Sequence, residues 1–421
     1  MRLLDSVLEC LPNISRPQKK FLRHVLELLW LFPGSATFRN LSRYSDYCEK
    51  SFARWYSREL DFVSLNHEII LSQVPVEHKQ ALALDASFIS KSGKNSYGLG
   101  SFWNGCHSRS ERGQEISVLA WVDIEANTAY ALSVEQTPGD EGKRQRKRKR
   151  KGKANSSAKA NAKAKGDKSK SRNANYLDQV CRVASQVKSE SLKYLLTDGA
   201  YSNKDFIDGV VASGLQQIGK LRRDSQLRYL YEGARRPGPG RSKCYDGVMD
   251  VEDLSRFDCL ELDKETDLYI KTLNHPRFKR DLRVVVVVNT KTGGYALLFS
   301  TDTSLDARTI YEYYKARFQI EFIFRDAKQF TGLGDCQARS REKLATHFNL
   351  SLSALNLAKV EQAAANEPDA AFSMASLKRR MFNQHLIDRI LSHLDCGQSL
   401  EKFSDEYSAL CNYGIISQQA A

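Results

Sequence analysis

The spacing of apolar positions changes along the chain, and it divides the sequence into stretches of different period. Up to about residue 75 the period is helical. In Pro17-Gln-Lys-Lys-Phe-Leu-Arg-His-Val-Leu-Glu-Leu-Leu-Trp-Leu31 a stripe of Phe21, Val25, Leu28 and Leu29 lies on one side, and Pro33-Gly34 stops it. Thr37 to Tyr44 predicts a second, short helix, Ser45-Asp46 a turn, and Glu49 to Leu60 a third helix. From about residue 80 the pattern becomes mixed. Strands are predicted at 81–89, 116–123, 128–134, 192–198 and 215–219, with helices near 176–188 and 203–213. Between 223 and 300 only strand-like runs occur: Gln226–Tyr231, Phe257–Leu262, Leu268–Leu273, Leu282–Val288 and Tyr295–Ser300. A helix through Tyr311–Lys328 follows, and Gly332-Leu-Gly334 breaks it. A long helix then runs from Glu342 to about Ala365, and Glu367-Pro368 interrupts it. The remainder reads as helical, with Leu377, Met381, Leu386, Ile390 and Leu394 near one side, a pattern expected of core.

Three places in this pattern carry chemistry. On a helix advancing about 100° per residue, Arg317, Glu321 and Lys328 fall within about 60° of Tyr314. A carboxylate flanked by two cations and a phenol suits a site that holds a cation and phosphate oxygens, or simply a solvated face with spaced ion pairs. Phe318, Phe322 and Ala327 on the far side are expected to pack on a core. Upstream, Asp85 interrupts the apolar run Ala81-Leu-Ala-Leu-Asp-Ala-Ser-Phe-Ile89, and Asp198 closes Lys193-Tyr-Leu-Leu-Thr-Asp198. A carboxylate inside or ending an apolar strand is costly unless it is paired or binds metal. A local turn between Asp85 and Ser87, or an ordinary Asp198-Gly199 turn, is the plainer reading of each. In the third amino-terminal helix, Lys50, Arg54 and Arg58 recur every four residues, with Phe52, Trp55, Tyr56 and Leu60 on the other side. That combination fits a recognition helix or an ordinary basic face.

The spacing Tyr314-(2)-Arg317-(3)-Glu321-(6)-Lys328 resembles the defining motif of the IS-four family of bacterial DDE transposases, which are encoded by insertion sequences. Asp85 and Asp198 stand in the order that family requires. Tyr97-Gly-Leu-Gly-Ser-Phe-Trp103 and Gly113-Gln-Glu-Ile-Ser117 are similar to its segment after the first Asp. The resemblance spans roughly residues 80 to 345. It implies an α/β ribonuclease-H-like catalytic core with an all-β insertion and a helical amino-terminal DNA-binding domain. It implies that Asp85, Asp198 and Glu321 are catalytic and hold two divalent ions, Mg²⁺ or Mn²⁺, and that Tyr314, Arg317 and Lys328 meet DNA. The expected domains are a helix-turn-helix-like unit at 1–75, the core at 76–222 and 301–365, the β insertion at 223–300, and a helical region at 366–421. Lys50, Arg54 and Arg58 are expected to bind DNA. The expected substrates are double-stranded terminal inverted repeats and target DNA, acted on by a homodimer in a synaptic complex. A metal-dependent nuclease of the same fold, or a catalytically inactive DNA-binding descendant, are the alternatives.

Composition adds one feature. The net charge of +14 lies entirely between Lys143 and Arg172, which holds 15 basic residues and one acidic; elsewhere 49 of each sign cancel. Residues 140–173 are therefore expected to form a disordered basic insert, either a nonspecific phosphate tether or a tolerated surface loop. No apolar run approaches the ~18 residues of a membrane span. The nine scattered cysteines have no CxxC pair, and the eight histidines have no ligand spacing. The expected setting is the cytoplasm, associated with the nucleoid, with no membrane partner.

Overall fold

The structure, a computed structural model, describes residues 2–138, 171–187, 189, 191–234, 242–364, 372–393 and 404–414. The amino-terminal helices are α1 (Arg2–Glu9), α2 (Arg16–Leu31), α3 (Phe38–Leu41), α4 (Glu49–Trp55) and α5 (Phe62–Leu71). Strands β1 (Gln80–Ser90), β2 (Gly100–Asn104), β3 (Arg109–Asp123) and β4 (Thr128–Gln136) follow. Then come α6 (Arg172–Val187), β5 (Tyr194–Thr197), α7 (Lys204–Ala212) and β6 (Gln216–Lys220). Strands β7 (Arg228–Leu230), β8 (Tyr245–Val248), β9 (Asp258–Asp263), β10 (Thr266–His275), β11 (Arg280–Asn289) and β12 (Tyr295–Ser300) come next. The chain ends in α8 (Ala307–Ala316), α9 (Gln319–Phe330), α10 (Arg341–Ala364), α11 (Met374–His393) and α12 (Ser404–Cys411). Among the described residues no helix is long and apolar enough to cross a membrane.

Among the described residues all the strands belong to one twelve-stranded sheet. Its path runs β2-β3-β1-β5-β6-β12-β11-β10-β7-β8, with β4 beside β3 and β9 beside β10. β1 is antiparallel to β3 and parallel to β5, and β5 is parallel to β6. The strands after residue 223 continue this sheet, because Leu298, Phe299 and Ser300 of β12 pair with Lys220, Gly219 and Ile218 of β6. They also bury a core of their own around Leu273, Leu282, Val284 and Phe299, against which Ile207 of α7 packs. The strand-only pattern anticipated this stretch but missed β8 and, earlier in the chain, β2. Both are short and rich in polar residues.

Helix α10 is the central strut. It is buried from Leu344 to Val360 and packs on α2, α5, α9 and β4. Its polar side chains meet the free edge of β4. Asn356 accepts from Ala131 N at 2.8 Å and donates to Ala131 O at 2.7 Å. Lys359 Nζ donates to Ala129 O at 2.6 Å, and Asn349 Nδ2 donates to Val134 O at 3.3 Å. Edge groups that would otherwise be buried without partners are satisfied in this way.

The amino-terminal helices share this core. Leu4, Phe21, Val25, Phe52 and Leu65 belong to the same buried cluster as Leu84, Leu119 and Leu355. Trp30 Nε1 donates to Ala354 O at 2.9 Å, and Asn356 Nδ2 donates to Asn66 Oδ1 at 3.1 Å. The third predicted helix is shorter than expected. It ends at Trp55, Ser57 Oγ donates back to Ala53 O, and Asp61 caps α5 by accepting from Ser64 N.

Two further expectations change. Leu377 and Met381 pack against the core, but Leu386 and Ile390 are exposed, so the carboxyl-terminal stripe is only half buried. Leu394 and Glu367-Pro368 lie outside the described residues, as does the basic segment up to residue 170. Arg172 and Asn173 belong to α6, so the helix starts inside the expected insert.

Two outcomes follow. Asn356→Leu orphans Ala131 and Asn66 and should cost about 2–5 kcal/mol, read by urea unfolding. A fragment of residues 1–75 lacks the surfaces its helices pack on and should show no cooperative melt by circular dichroism.

Candidate active site

The parallel register of β1 and β5 brings two carboxylates together. Leu84 pairs with Thr197, the last residue of β5, so Asp85 within β1 and Asp198 just past β5 each follow a paired residue on neighbouring segments. Asp85 sits inside β1, flanked by β3 and β5, where its carboxylate is mostly covered. Its Oδ1 accepts from the Ala86 amide at 2.8 Å; the bond is not to Ser87. Asp198 follows β5 at the cap position of a 3-10 turn over Gly199–Tyr201; its carbonyl accepts from Tyr201 N at 3.1 Å, but its side chain makes no capping bond.

The third carboxylate comes from the carboxyl-terminal helices. Asp306 starts α8 by accepting from Thr309 N at 2.9 Å. The single helix expected over 311–328 is two helices meeting at Arg317-Phe318. Both residues keep right-handed helical angles. The bonds tighten there to a spacing of three, as in Phe318 N to Lys315 O and Glu321 N to Phe318 O. This turn changes the face expected to pack. Phe318 is 49 % exposed and Phe322 is half-buried, while Ile320, Ile323, Phe324 and Ala327 face the core. After α9, Gly332 adopts φ +72°, and a Cβ there would lie 2.4 Å from the Ala36 Cβ. A residue with a side chain would be excluded on both counts.

Arg317 lies at the junction and joins the carboxylates. Its Nη2 donates to Glu321 Oε1 at 2.9 Å and its Nη1 to Asp85 Oδ2 at 3.4 Å. The guanidinium is 11 % exposed, and its Nε is buried with no partner. Its pKa is raised: burial opposes the charge, but Asp85, Tyr314, Asp198 and Glu321 outweigh burial. Burial pushes Asp85 up to about 6; Arg317 counteracts this, while Asp198 and Glu321 add to it. Burial raises Tyr314 to about 12, with Arg317 opposing and Asp198 reinforcing the rise. The mutual influence of these groups places Asp85, Asp198, Glu321, Tyr314 and Arg317 in one cluster.

Lys328, two turns beyond Glu321, donates to Ser87 Oγ at 2.8 Å, and partial burial lowers its pKa. Ser87 is a participant that sequence reasoning treated only as a turn partner. Its place two residues after Asp85, on the same strand face, was the available signal. The amino-terminal basic residues stand apart from this cluster. Lys50, Arg54 and Arg58 are all exposed, but Arg58 lies beyond the end of α4, its guanidinium stacked over Trp55 at 4.3 Å. The three therefore do not form one helical stripe.

The donor set is three carboxylates, whose hard oxygens suit Mg²⁺ or Mn²⁺ and not zinc. Among the described residues, no group of three or more His, Cys, Asp or Glu side chains is gathered closely enough to hold a metal. The guanidinium of Arg317 supplies the positive charge between Asp85 and Glu321. In chemistry the carboxylates fit a divalent ion, which would take the place of the guanidinium charge between them.

Comparison with known families bears on the same residues. Residues 167–357 match the family described as transposase DDE domain, and residues 59–256 match the family described as DDE superfamily endonuclease. Asp85 lies in the second match, Glu321 in the first, and Asp198 in both. No curated protein matches the chain. The two matches support a DDE-superfamily transposase or endonuclease, a nucleic-acid-cleaving enzyme of a superfamily that uses divalent metal ions. They imply a ribonuclease-H-like fold, and the order β4-β3-β1-β5-β6 within the mixed sheet agrees with it.

The bridge made by Arg317 is testable. Arg317→Lys cannot fork between Asp85 and Glu321, so DNA cleavage should fall at least about tenfold. Lys328→Ala should lower cleavage too, with a melting temperature within a few degrees of wild type. Normal cleavage by both variants would make this helix face structural.

Proposed function

We propose that this chain is a cut-and-paste DNA transposase of the IS-four type, acting on the terminal inverted repeats of an insertion sequence and on target DNA. The observation that carries this reading is the convergence of Asp85, Asp198 and Glu321 on Arg317 and Tyr314, from two adjacent parallel strands and a helix far along the sequence. Asp85, Asp198 and Glu321 would hold two divalent ions. When bound, such ions supply charge that activates an attacking oxygen and stabilises a leaving one in phosphoryl transfer. Arg317 and Lys328 offset the charge of phosphates near the scissile bond, and the Tyr314 hydroxyl, held protonated, donates a hydrogen bond to a phosphate oxygen or a terminal nucleotide.

Other parts of the reading rest on surface chemistry. The exposed Lys50, Arg54 and Arg58 contact end DNA as a cationic patch on the amino-terminal helices. The strands from 223 to 300 extend the catalytic sheet toward bound DNA. The enzyme works in the cytoplasm at the nucleoid, as a homodimer that synapses two ends. A nuclease that cuts without joining is the second reading, favoured by the match to an endonuclease family.

Asp85→Asn, Asp198→Asn and Glu321→Gln each remove a charged ligand at almost constant volume. Each should abolish Mg²⁺-dependent cleavage and joining by about 1,000-fold or more, with DNA binding retained, measured on duplexes carrying the element's ends. Wild-type cutting by any one variant removes that residue from the site. Joining of a precleaved end by the wild-type protein separates a transposase from a nuclease.

A further inference from the structure

Trp103 is the most exposed large aromatic ring of the β1–β4 region, at 59 % of its surface, whereas Trp30 and Trp121 are almost wholly buried. A tryptophan left in water on a folded strand is unusual. Its position follows from the sheet register. Asp85 pairs with Val118 and Ser87 with Ile116, and Trp103 pairs with Ser110. Directly opposed residues share a face, and the face repeats every second residue. Trp103 therefore shares the sheet face of Asp85 and Ser87. Phe102, on the other face, is buried beneath Arg172 of α6.

The hairpin carrying Trp103 is held firmly. Glu111 accepts from Asn104 Nδ2 at 2.7 Å and from Arg109 Nε at 2.7 Å, and lies 2.9 Å from His107 Nδ1. Asn104 Oδ1 accepts from Cys106 N at 3.1 Å. Two cations lie on the sheet face that carries the ring. Lys328 is bonded to Ser87, which shares that face. Arg112 faces the same way and donates to Gly93 O. Arg172 lies on the opposite face, over Phe102, and donates to Ser101 O at 3.1 Å, which anchors the same strand from behind. Eight residues separate Val118 from Ser110. At about 3.4 Å each, the ring is at most about 27 Å along the sheet from Asp85, a span of roughly eight nucleotide steps.

We infer that Trp103 is a stacking platform for an unpaired base of the DNA strand that enters the Asp85–Glu321 site, with Arg112 beside the ring and Lys328 nearer the carboxylates meeting phosphates of that strand. Aromatic faces accept any base, so the contact positions the strand without reading its sequence. Trp103 is thus a positioning residue, and the inference rests on the DNA-processing reading of the site.

The test uses the full chain with Glu321→Gln, so that no cutting occurs, in EDTA. The probes are a 15-nucleotide single strand of thymidine and a blunt 15-base-pair duplex. The single strand should shield Trp fluorescence from acrylamide, and the shielding should vanish in Trp103→Phe. Trp103→Ala should weaken single-strand binding about 5- to 150-fold, with Trp103→Phe recovering most of the loss and both variants melting as wild type. Binding that still weakens in Lys328→Ala but leaves Trp103 equally quenchable overturns the stacking role and spares the DNA-processing reading. Shielding as strong with the blunt duplex reassigns the ring to a groove or backbone contact and also overturns stacking. No binding of either probe overturns both.

Discussion

One guanidinium organises the site. Arg317 is buried at the junction of two helices and donates to carboxylates from a strand and a helix 232 and 4 residues away in sequence. Without it, three carboxylates would share a partly dry cleft, and their mutual repulsion would favour protonation. The raised Asp85 shows how far burial already works in that direction. Removing one partner of such a pair leaves the other charge buried and uncompensated, which costs more than the pair contributes. The tight turn at Arg317-Phe318 and the buried back of α9 both serve to keep that side chain in place.

The scaffold around this pair is unusually continuous. The strands that carry the candidate site and the strands after residue 223 form one sheet, so the second core is attached by backbone bonding from β6 to β12. On the other flank α10 closes the free edge of β4 with side-chain donors and an acceptor where a further strand would otherwise pair. The sheet thus keeps one end for extension and has the other covered by a helix.

Much of this was legible in the sequence, for identifiable reasons. A carboxylate that breaks an apolar strand, as at Asp85 and Asp198, stands out because its burial must be compensated. The long α10 and the run of strands after 223 announce themselves by period alone. The division of α8 from α9 does not, since Arg317 and Phe318 carry no glycine or proline and stay in the helical region. A wheel drawn across that junction misassigned Phe318 and Phe322 to the core. Ser87 and Lys328 meet across 241 residues, and no local pattern encodes such a contact. Strand β2 and the first residues of β3 were missed, although Asn104-Gly105 is a common turn pair, because Arg109, Ser110, Glu111 and Arg112 beside it are polar and interrupt the apolar pattern. The amino-terminal helices read as a separate unit because their apolar stripe is strong; only tertiary packing reveals that α10 covers it.

The bond from Trp30 to Ala354 spans 324 residues, and that from Asn66 to Asn356 spans 290. The amino-terminal helices thus cannot bury their apolar stripe until α10, which is made after them, has emerged. Closing loops of this length slows folding and leaves the early helices sticky in the interim. A polypeptide that stops short of α10 would be left without a sealed core, so synthesis of α10 and assembly of the candidate site's scaffold are one event.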